Sequence, residues 1–225
     1  MPTASTYEPI VCPECGMVRE PRVAEFNGKV VFGGYSDCPC VVAERLELKA
    51  AEERRERRRK AEKAGIPLRF MEVEPLPLHD SHDGWYVFGN PGTGKTHRAC
   101  QHALWELERG RRVLFTTTLD MVSRIKSTYG TSESTEAEIS RYLKPDLVVL
   151  DDLGKEKPSE WIVEQMYRII DGRYNRCKKT LVTSNYTRPQ LVERYSAGGL
   201  ETAEAIVSRL VMLDSVDMRG KDRRL

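Results

Sequence analysis

Eight consecutive residues, Gly89-Asn90-Pro91-Gly92-Thr93-Gly94-Lys95-Thr96, determine more of this chain's architecture than any other stretch of its 225 residues. They satisfy the pattern G-x-x-x-x-G-K-[ST]; the apolar run Trp85-Tyr86-Val87-Phe88 precedes them and a helix-forming segment follows. Strand, glycine-rich turn and helix in that order let successive backbone N–H groups point inward around a phosphate, with the helix N-terminus adding positive potential. Lys95 is then expected at the β- and γ-phosphates of ATP, and Thr96 as the hydroxyl ligand of a Mg²⁺ that bridges phosphate oxygens.

A site of this kind needs a second half, an apolar strand ending in carboxylates. Leu147-Val148-Val149-Leu150-Asp151-Asp152 has that form. Asp151 is expected to hold Mg²⁺ through water, and Asp152 to orient or deprotonate the attacking water. A further strand, Leu181-Val182-Thr183-Ser184, ends at Asn185, whose amide can hydrogen-bond a γ-phosphate or that water. Together with Val113 to Thr117 these runs predict a buried, mostly parallel sheet, with helices over 95–109, 118–128, 134–143 and 159–174 between the strands. Ser159 caps the last of these helices in this reading, and Trp161, Ile162, Met166 and Ile169 form its buried stripe.

Upstream the composition changes. Residues 8–40 hold four of the six cysteines, several glycines and prolines, and little apolar material for a core. Cys12-Pro13-Glu14-Cys15 and Cys38-Pro39-Cys40 give a CxxC pair and a CxC pair separated by 22 residues. That spacing can converge four thiolates on a structural Zn²⁺, with metal binding supplying the folding energy the segment lacks. Reduced thiols or a redox CxxC are the alternative, although the first pair lacks a thioredoxin-like βαβ setting. From Val41 to Ala64 glycine and proline vanish and helix formers take over, predicting a helix of about 20 residues that ends at Gly65 and Pro67. Its apolar positions Val42, Leu46 and Ala50 lie in the first half; Glu53 with Arg57 and Glu56 with Lys60 stand at i, i+4 spacing in the second, which is expected to be solvated. The organisation expected is a cysteine module over 1–42, a charged helix and linker over 43–67, and a nucleotide-binding domain over 68–225.

Lys and Arg total 36 against 34 Asp and Glu, so the net charge of +2 names no nucleic-acid partner by itself. No apolar run approaches the roughly 18 residues that span a bilayer, and Met1 to Ile10 lacks a secretory pattern, so a cytoplasmic location is expected.

In their order along the chain these features resemble the DnaC/DnaI helicase-loader family of AAA+ ATPases and its relatives, the IstB transposition ATPases. The resemblance is carried by the N-terminal cysteines, Ala64-Gly65-Ile66-Pro67, the phosphate loop, Leu114 to Tyr129, Asp151-Asp152-Leu153-Gly154, Ile170-Asp171-Gly172-Arg173-Tyr174, Thr183-Ser184-Asn185 and Val207-Ser208-Arg209-Leu210. It implies a three-layer AAA+ α/β domain, Asn185 as sensor 1, and Arg209 as an arginine finger that reaches the ATP of a neighbouring subunit in an oligomer. A guanidinium in that position neutralises charge on the transferring phosphoryl group. The resemblance also implies an N-terminal region that grips a hexameric replicative helicase, and a segment from Thr118 to Tyr129 that meets single-stranded DNA. Arg124 and Lys126 offer cations for the backbone there, and Tyr129 a ring for base stacking. The basic run Arg54, Arg55, Arg57, Arg58, Arg59 and Lys60 suits phosphate contacts or a solvated face equally. Two departures stand out. Many AAA+ enzymes carry Glu where Asp152 stands, and the shorter side chain implies slow intrinsic hydrolysis. Only 40 residues follow Asn185, too few for a full helical lid, which leaves Arg219 and Arg223 as candidates for a sensor 2 arginine. Three other functions compete: an IstB-like helper of a transposase, a small-molecule kinase, for which neither acceptor pocket nor arginine-bearing lid is evident, and a nucleotide-binding adaptor without turnover.

Overall fold

The computed structural model describes residues 7–130 and 134–223, which fall into two units, residues 1–56 and 57–225. The first opens with two short antiparallel strands, β1 (Ile10–Val11) and β2 (Val18–Arg19), followed by the hairpin of β3 (Pro21–Phe26) and β4 (Lys29–Tyr35). Asn27 and Gly28, at φ 53° and 71°, make the hairpin turn, a conformation these two residue types adopt readily. Val18, Val23, Phe26 and Val31 remain exposed, so the hairpins build no apolar core.

Helix α1 (Pro39–Ala64) continues into the second unit, where its last turns depart from expectation. Ala61 and Ala64 are fully buried, while Val42 and Leu46 in the first half are exposed. Arg57 pairs with Glu108 at 3.4 Å and donates to the Val73 carbonyl at 2.5 Å, instead of turning to Glu53. The second half is therefore docked. Alanine, too small to register as an apolar stripe, lets the helix approach closely and hides the docking from a reading of large side chains.

Five parallel strands form the sheet of this unit: β5 (Gly84–Phe88), β6 (Val113–Thr117), β7 (Leu147–Leu153), β8 (Lys179–Ser184) and β9 (Asp214–Asp217), in the spatial order β6-β7-β8-β5-β9. Because successive side chains on a strand point to opposite faces, each strand feeds two cores. Trp85, Val87, Phe115, Leu147, Val149 and Leu181 pack against α2 (Lys95–Glu108) and the segment from Ala61 to Leu78. Tyr86, Leu114, Val148, Leu150 and Val182 face the other way, toward α3 (Thr118–Ser127), α4 (Thr135–Leu143), α5 (Glu160–Tyr174), α6 (Arg188–Tyr195) and α7 (Leu200–Leu210). The result is the expected three-layer α/β domain. On α5 the stripe is rotated from the expected one: Val163, Met166, Ile169 and Ile170 are buried, and Trp161 and Ile162 only partly so.

Arg173, wholly buried near the end of α5, directs its hydrogen bonds to a hydroxyl and to backbone carbonyls, with Asp146 close enough to act on it through its charge. Its guanidinium donates to Thr180 Oγ1 at 3.0 Å, to the Tyr142 and Pro145 carbonyls at 2.8 and 3.2 Å, and to the Lys179 carbonyl. Burial pulls its pKa down to about 10. The side chain ties α5 to the start of β8 and to the turn before β7, which makes Arg173 a structural clamp.

Candidate nucleotide site

The carboxyl edge of a parallel sheet is where α/β folds bind ligands, and the chain brings three of its strand ends together there. β5 runs into the phosphate loop, whose Gly89 N–H donates to the Ser184 carbonyl at the end of β8 at 3.2 Å. Thr93 Oγ1 closes the loop on the Asn90 carbonyl at 2.9 Å, and Gly94, left-handed at φ 93°, turns the chain into α2. Lys95 is buried, and its ammonium donates to the Gly89 and Asn90 carbonyls at 2.9 and 2.8 Å.

Thr96 Oγ1 lies 3.1 Å from both carboxylate oxygens of Asp151, which is 4% exposed at the end of β7. Thr183 Oγ1 donates to Asp151 Oδ1 at 2.6 Å and accepts the Asp152 N–H at 2.9 Å, so one hydroxyl positions both carboxylate residues. Burial raises the Asp151 pKa and the adjacent Asp152 charge raises it further, while the two threonine hydroxyls oppose the shift. A buried hydroxyl–carboxylate pair set against a phosphate loop is the donor set a Mg²⁺ ion takes. These residues fit the metal.

Asp152 has φ 60°, the left-handed region. Its side chain is partly exposed and meets Lys155 Nζ at 2.8 Å; its carbonyl accepts from Lys155 N and from Thr118 Oγ1, each at 3.1 Å. Behind this turn lies Glu156, 1% exposed, whose carboxylate accepts from Thr118 Oγ1 at 2.8 Å, from the Gly154 N–H at 3.3 Å and from the Tyr195 hydroxyl. Thr118 opens α3, so Glu156 ties that helix and α6 to the turn that carries Asp152. Asn185 is exposed directly after β8, beside Gly89. Thr183, Thr118 and Glu156 were missed as site residues, because a threonine within a strand and a glutamate after a turn carry no spacing signal.

Arg209 lies elsewhere. Its Nε donates to Asp171 Oδ1 at 3.0 Å, and it lines a cleft with Asp83, Lys178 and Thr180, which precede or open β5 and β8. That is the amino edge of the sheet, opposite the phosphate loop of its own chain. On α3, Arg124 pairs with Glu138 at 2.9 Å and Lys126 is exposed; in the turn after it, the Tyr129 hydroxyl accepts from Trp161 Nε1 at 2.8 Å. Residues 131–133, between α3 and α4, lie outside the described residues.

In the first unit the sulfurs of Cys12, Cys15, Cys38 and Cys40 all lie within 4.8 Å of one another, Cys40 Sγ standing 3.1, 3.3 and 3.4 Å from those of Cys38, Cys12 and Cys15. Tetrahedral Zn–S bonds of about 2.3 Å place sulfurs about 3.8 Å apart, so the cluster is compatible with a four-cysteine zinc module. Backbone N–H groups of Cys15 and Glu14 hold the Cys12 thiol down at about 6, the sense that favours a thiolate ligand, while hydrogen bonds with Cys38, Cys12 and Cys15 push the Cys40 thiol up, so a metal would have to displace the proton that Cys40 carries.

The family model of IstB-like ATP binding proteins matches residues 69–225, the whole of the sheet and its helices. The chain belongs to this family. It is 34% identical over 99 residues to the "Putative insertion sequence ATP-binding protein" of Sinorhizobium fredii, an alignment covering 44% of this chain and 33% of that protein. It is 29% identical over 116 residues to the replicative helicase loader DnaC of Escherichia coli K12, covering 51% of this chain and 47% of the loader. The chain thus spans less than half the length of these two curated relatives. Among solved structures, the crystal structure of the DnaC helicase loader superposes with a TM-score of 0.51 at 28% identity, covering 70% of this chain and 86% of that one. DnaI superposes with a TM-score of 0.55 at 23% identity, covering 71% and 82%, and so supports the AAA+ fold. This member of the IstB-like family has, among its described residues, no helix long and apolar enough to cross a membrane.

Proposed function

We propose that this ATP-binding protein is an ATPase that loads a hexameric replicative helicase onto single-stranded DNA, with ATP binding and hydrolysis switching it between assembly and release. The observation that carries the ATPase reading is Thr183, one hydroxyl that holds the buried Asp151 against Thr96 and fixes the backbone of Asp152 beside the phosphate loop. In this reading Gly89 to Thr96 wrap the triphosphate, Lys95 leaves its loop carbonyls for the β- and γ-phosphates, and Thr96 with Asp151 holds Mg²⁺, which when bound neutralises charge on the phosphates. Asp152 takes the proton of the attacking water once Lys155 releases it, and Asn185 orients that water. Arg209 completes the site of the neighbouring subunit. Its place at the amino edge, away from its own loop, supports a role in trans.

The loader reading rests on the similarity to DnaC and on the four-cysteine module, which would hold zinc and grip the helicase; Arg124, Lys126 and Tyr129 would meet the DNA. Arg124 and Tyr129 would first have to exchange Glu138 and Trp161 for that ligand. The family match and the insertion-sequence relative favour a second reading, a helper that directs a transposase on DNA. Co-purification from the native cell in the presence of MgATP separates the two. Retention of a replicative helicase, lost in the Cys12→Ser, Cys38→Ser variant, is expected; retention of a transposase with no helicase would replace the loader reading.

A further inference from the structure

After β9 the chain folds back across the phosphate loop. Met218 N donates to the Phe88 carbonyl at 2.7 Å, and Arg223 N donates to the Gly92 carbonyl at 3.0 Å. Between these ties the backbone lies so close that a Cβ at Gly89 would stand 2.5 Å from the Met218 carbonyl carbon, and one at Gly92 only 1.8 Å from Asp222 Oδ1. The Asp222 carboxylate thus rests directly on the backbone of Gly92. Two arginines flank it. Arg219 is held outward by an ion pair with Asp217 and lies 5.7 Å from the centre of the Phe88 ring. The Arg223 guanidinium lies 3.5 Å from where a Cβ of Gly94, the residue before α2, would be.

A phosphate loop is built to attract anions, since its N–H groups, its lysine and the helix N-terminus all present positive potential to one small volume. Asp222 brings a carboxylate from the same chain against the backbone of this loop at Gly92. A nucleotide brings several negative charges to the same place, and like charges in contact disfavour joint occupancy. Arg223 is tied to the loop through its backbone N–H on the Gly92 carbonyl, so it leaves with Asp222.

We propose that Asp222 is a resident anion of the nucleotide site: it holds the strap Met218–Arg223 on the phosphate loop, and nucleotide phosphates compete with it for that place. The inference rests on the reading of the loop as a nucleotide site. Competition with the strap lowers apparent nucleotide affinity by the fraction of chains in which the carboxylate is docked. It also makes the strap's position a report of occupancy.

The test uses the full chain, with MgADP titrated calorimetrically and amide hydrogen exchange followed by mass spectrometry. Asp222→Asn keeps the size of the side chain and removes its charge. It is expected to tighten MgADP binding about 5-fold. In the unsubstituted chain, saturating MgADP is expected to strip protection from the amides of Met218 to Arg223. Asp222→Ala must follow Asp222→Asn, which separates loss of charge from a new amide contact. Binding as in the unsubstituted chain or weaker in both variants, or a strap whose protection does not change on saturation, overturns the proposal. Absence of MgADP binding in folded unsubstituted and Asp222→Asn chains alike would instead overturn the nucleotide-site reading beneath it.

Discussion

Thr183→Val replaces a hydroxyl with a methyl of the same shape in a wholly buried position, and so removes two hydrogen bonds without opening a cavity. Asp151, 4% exposed, loses a charge-assisted bond of 2.6 Å, and the Asp152 N–H loses its acceptor. A bond to a charged group contributes about 1.5–3 kcal/mol and an unpaired donor costs about 1–3 kcal/mol, so a destabilisation of about 2.5–6 kcal/mol is expected at pH 7.5. The effect should depend on pH. Burial already raises the Asp151 pKa in the folded chain, which means this carboxyl destabilises the fold progressively as pH rises through that value. Loss of the Thr183 bond raises it further, so the deficit of the variant should shrink toward ~1 kcal/mol as pH falls through that raised value and Asp151 takes up its proton. All three tryptophans, at 85, 105 and 161, lie in the second unit, and urea unfolding followed by their fluorescence reports that unit. Thr183→Ser, which keeps the hydroxyl, should recover most of the loss. A valine variant within 0.5 kcal/mol of the parent at pH 7.5, or a deficit that grows toward acid, would refute this reasoning.

Lys95→Ala should abolish ATP binding, while Asp152→Asn should bind ATP and fail to turn it over; equal phosphate release by Asp152→Asn and the parent would remove Asp152 from the mechanism. Elemental analysis should find one zinc per chain, lost in Cys12→Ser, Cys38→Ser; a metal-free parent would reject the zinc module. Arg209→Ala should bind nucleotide normally yet not hydrolyse it, and its mixture with Lys95→Ala should recover activity. Mixed oligomers without recovery would reject a finger acting in trans. His102, buried against Trp85 and accepting from the Leu78 N–H, has its pKa pulled down to about 3 by burial. Its folded value lies below the unfolded one, so stability should be full above pH 6.5 and fall by up to ~4 kcal/mol as pH drops toward 3. His102→Gln should flatten that acid slope in chemical denaturation, and an unchanged slope would acquit the histidine.

Much of the second unit could be read before any coordinates, because its strands are continuous apolar runs and its helices carry their own caps. Ser159 accepts the Ile162 N–H as its position before α5 suggested. α6 and α7 are legible too: Thr187 and Gln190 form a capping box, and Ala203, Ile206, Val207 and Leu210 make a helical stripe. β9 was not legible. Asp214-Ser215-Val216-Asp217 has a single apolar residue and is a strand only because β5 offers it an edge. The same division holds in the site. Lys95, Thr96 and Asp151 announce themselves by motif, whereas Thr183, Glu156 and Asp222 act through contacts between segments distant along the chain, which no local pattern records.

The left-handed backbone at Asp152 narrows the mutational routes open to this site. Among side chains bearing a β-carbon, aspartate and asparagine enter that region most readily, and glycine enters it freely. Of these three only aspartate carries a carboxylate. On the proposed reading a glutamate would extend the reach toward a water molecule but would strain the turn, and a lineage drifting toward faster chemistry would have to rebuild the turn at Thr118, Thr183 and Glu156 before the longer acid brought any gain.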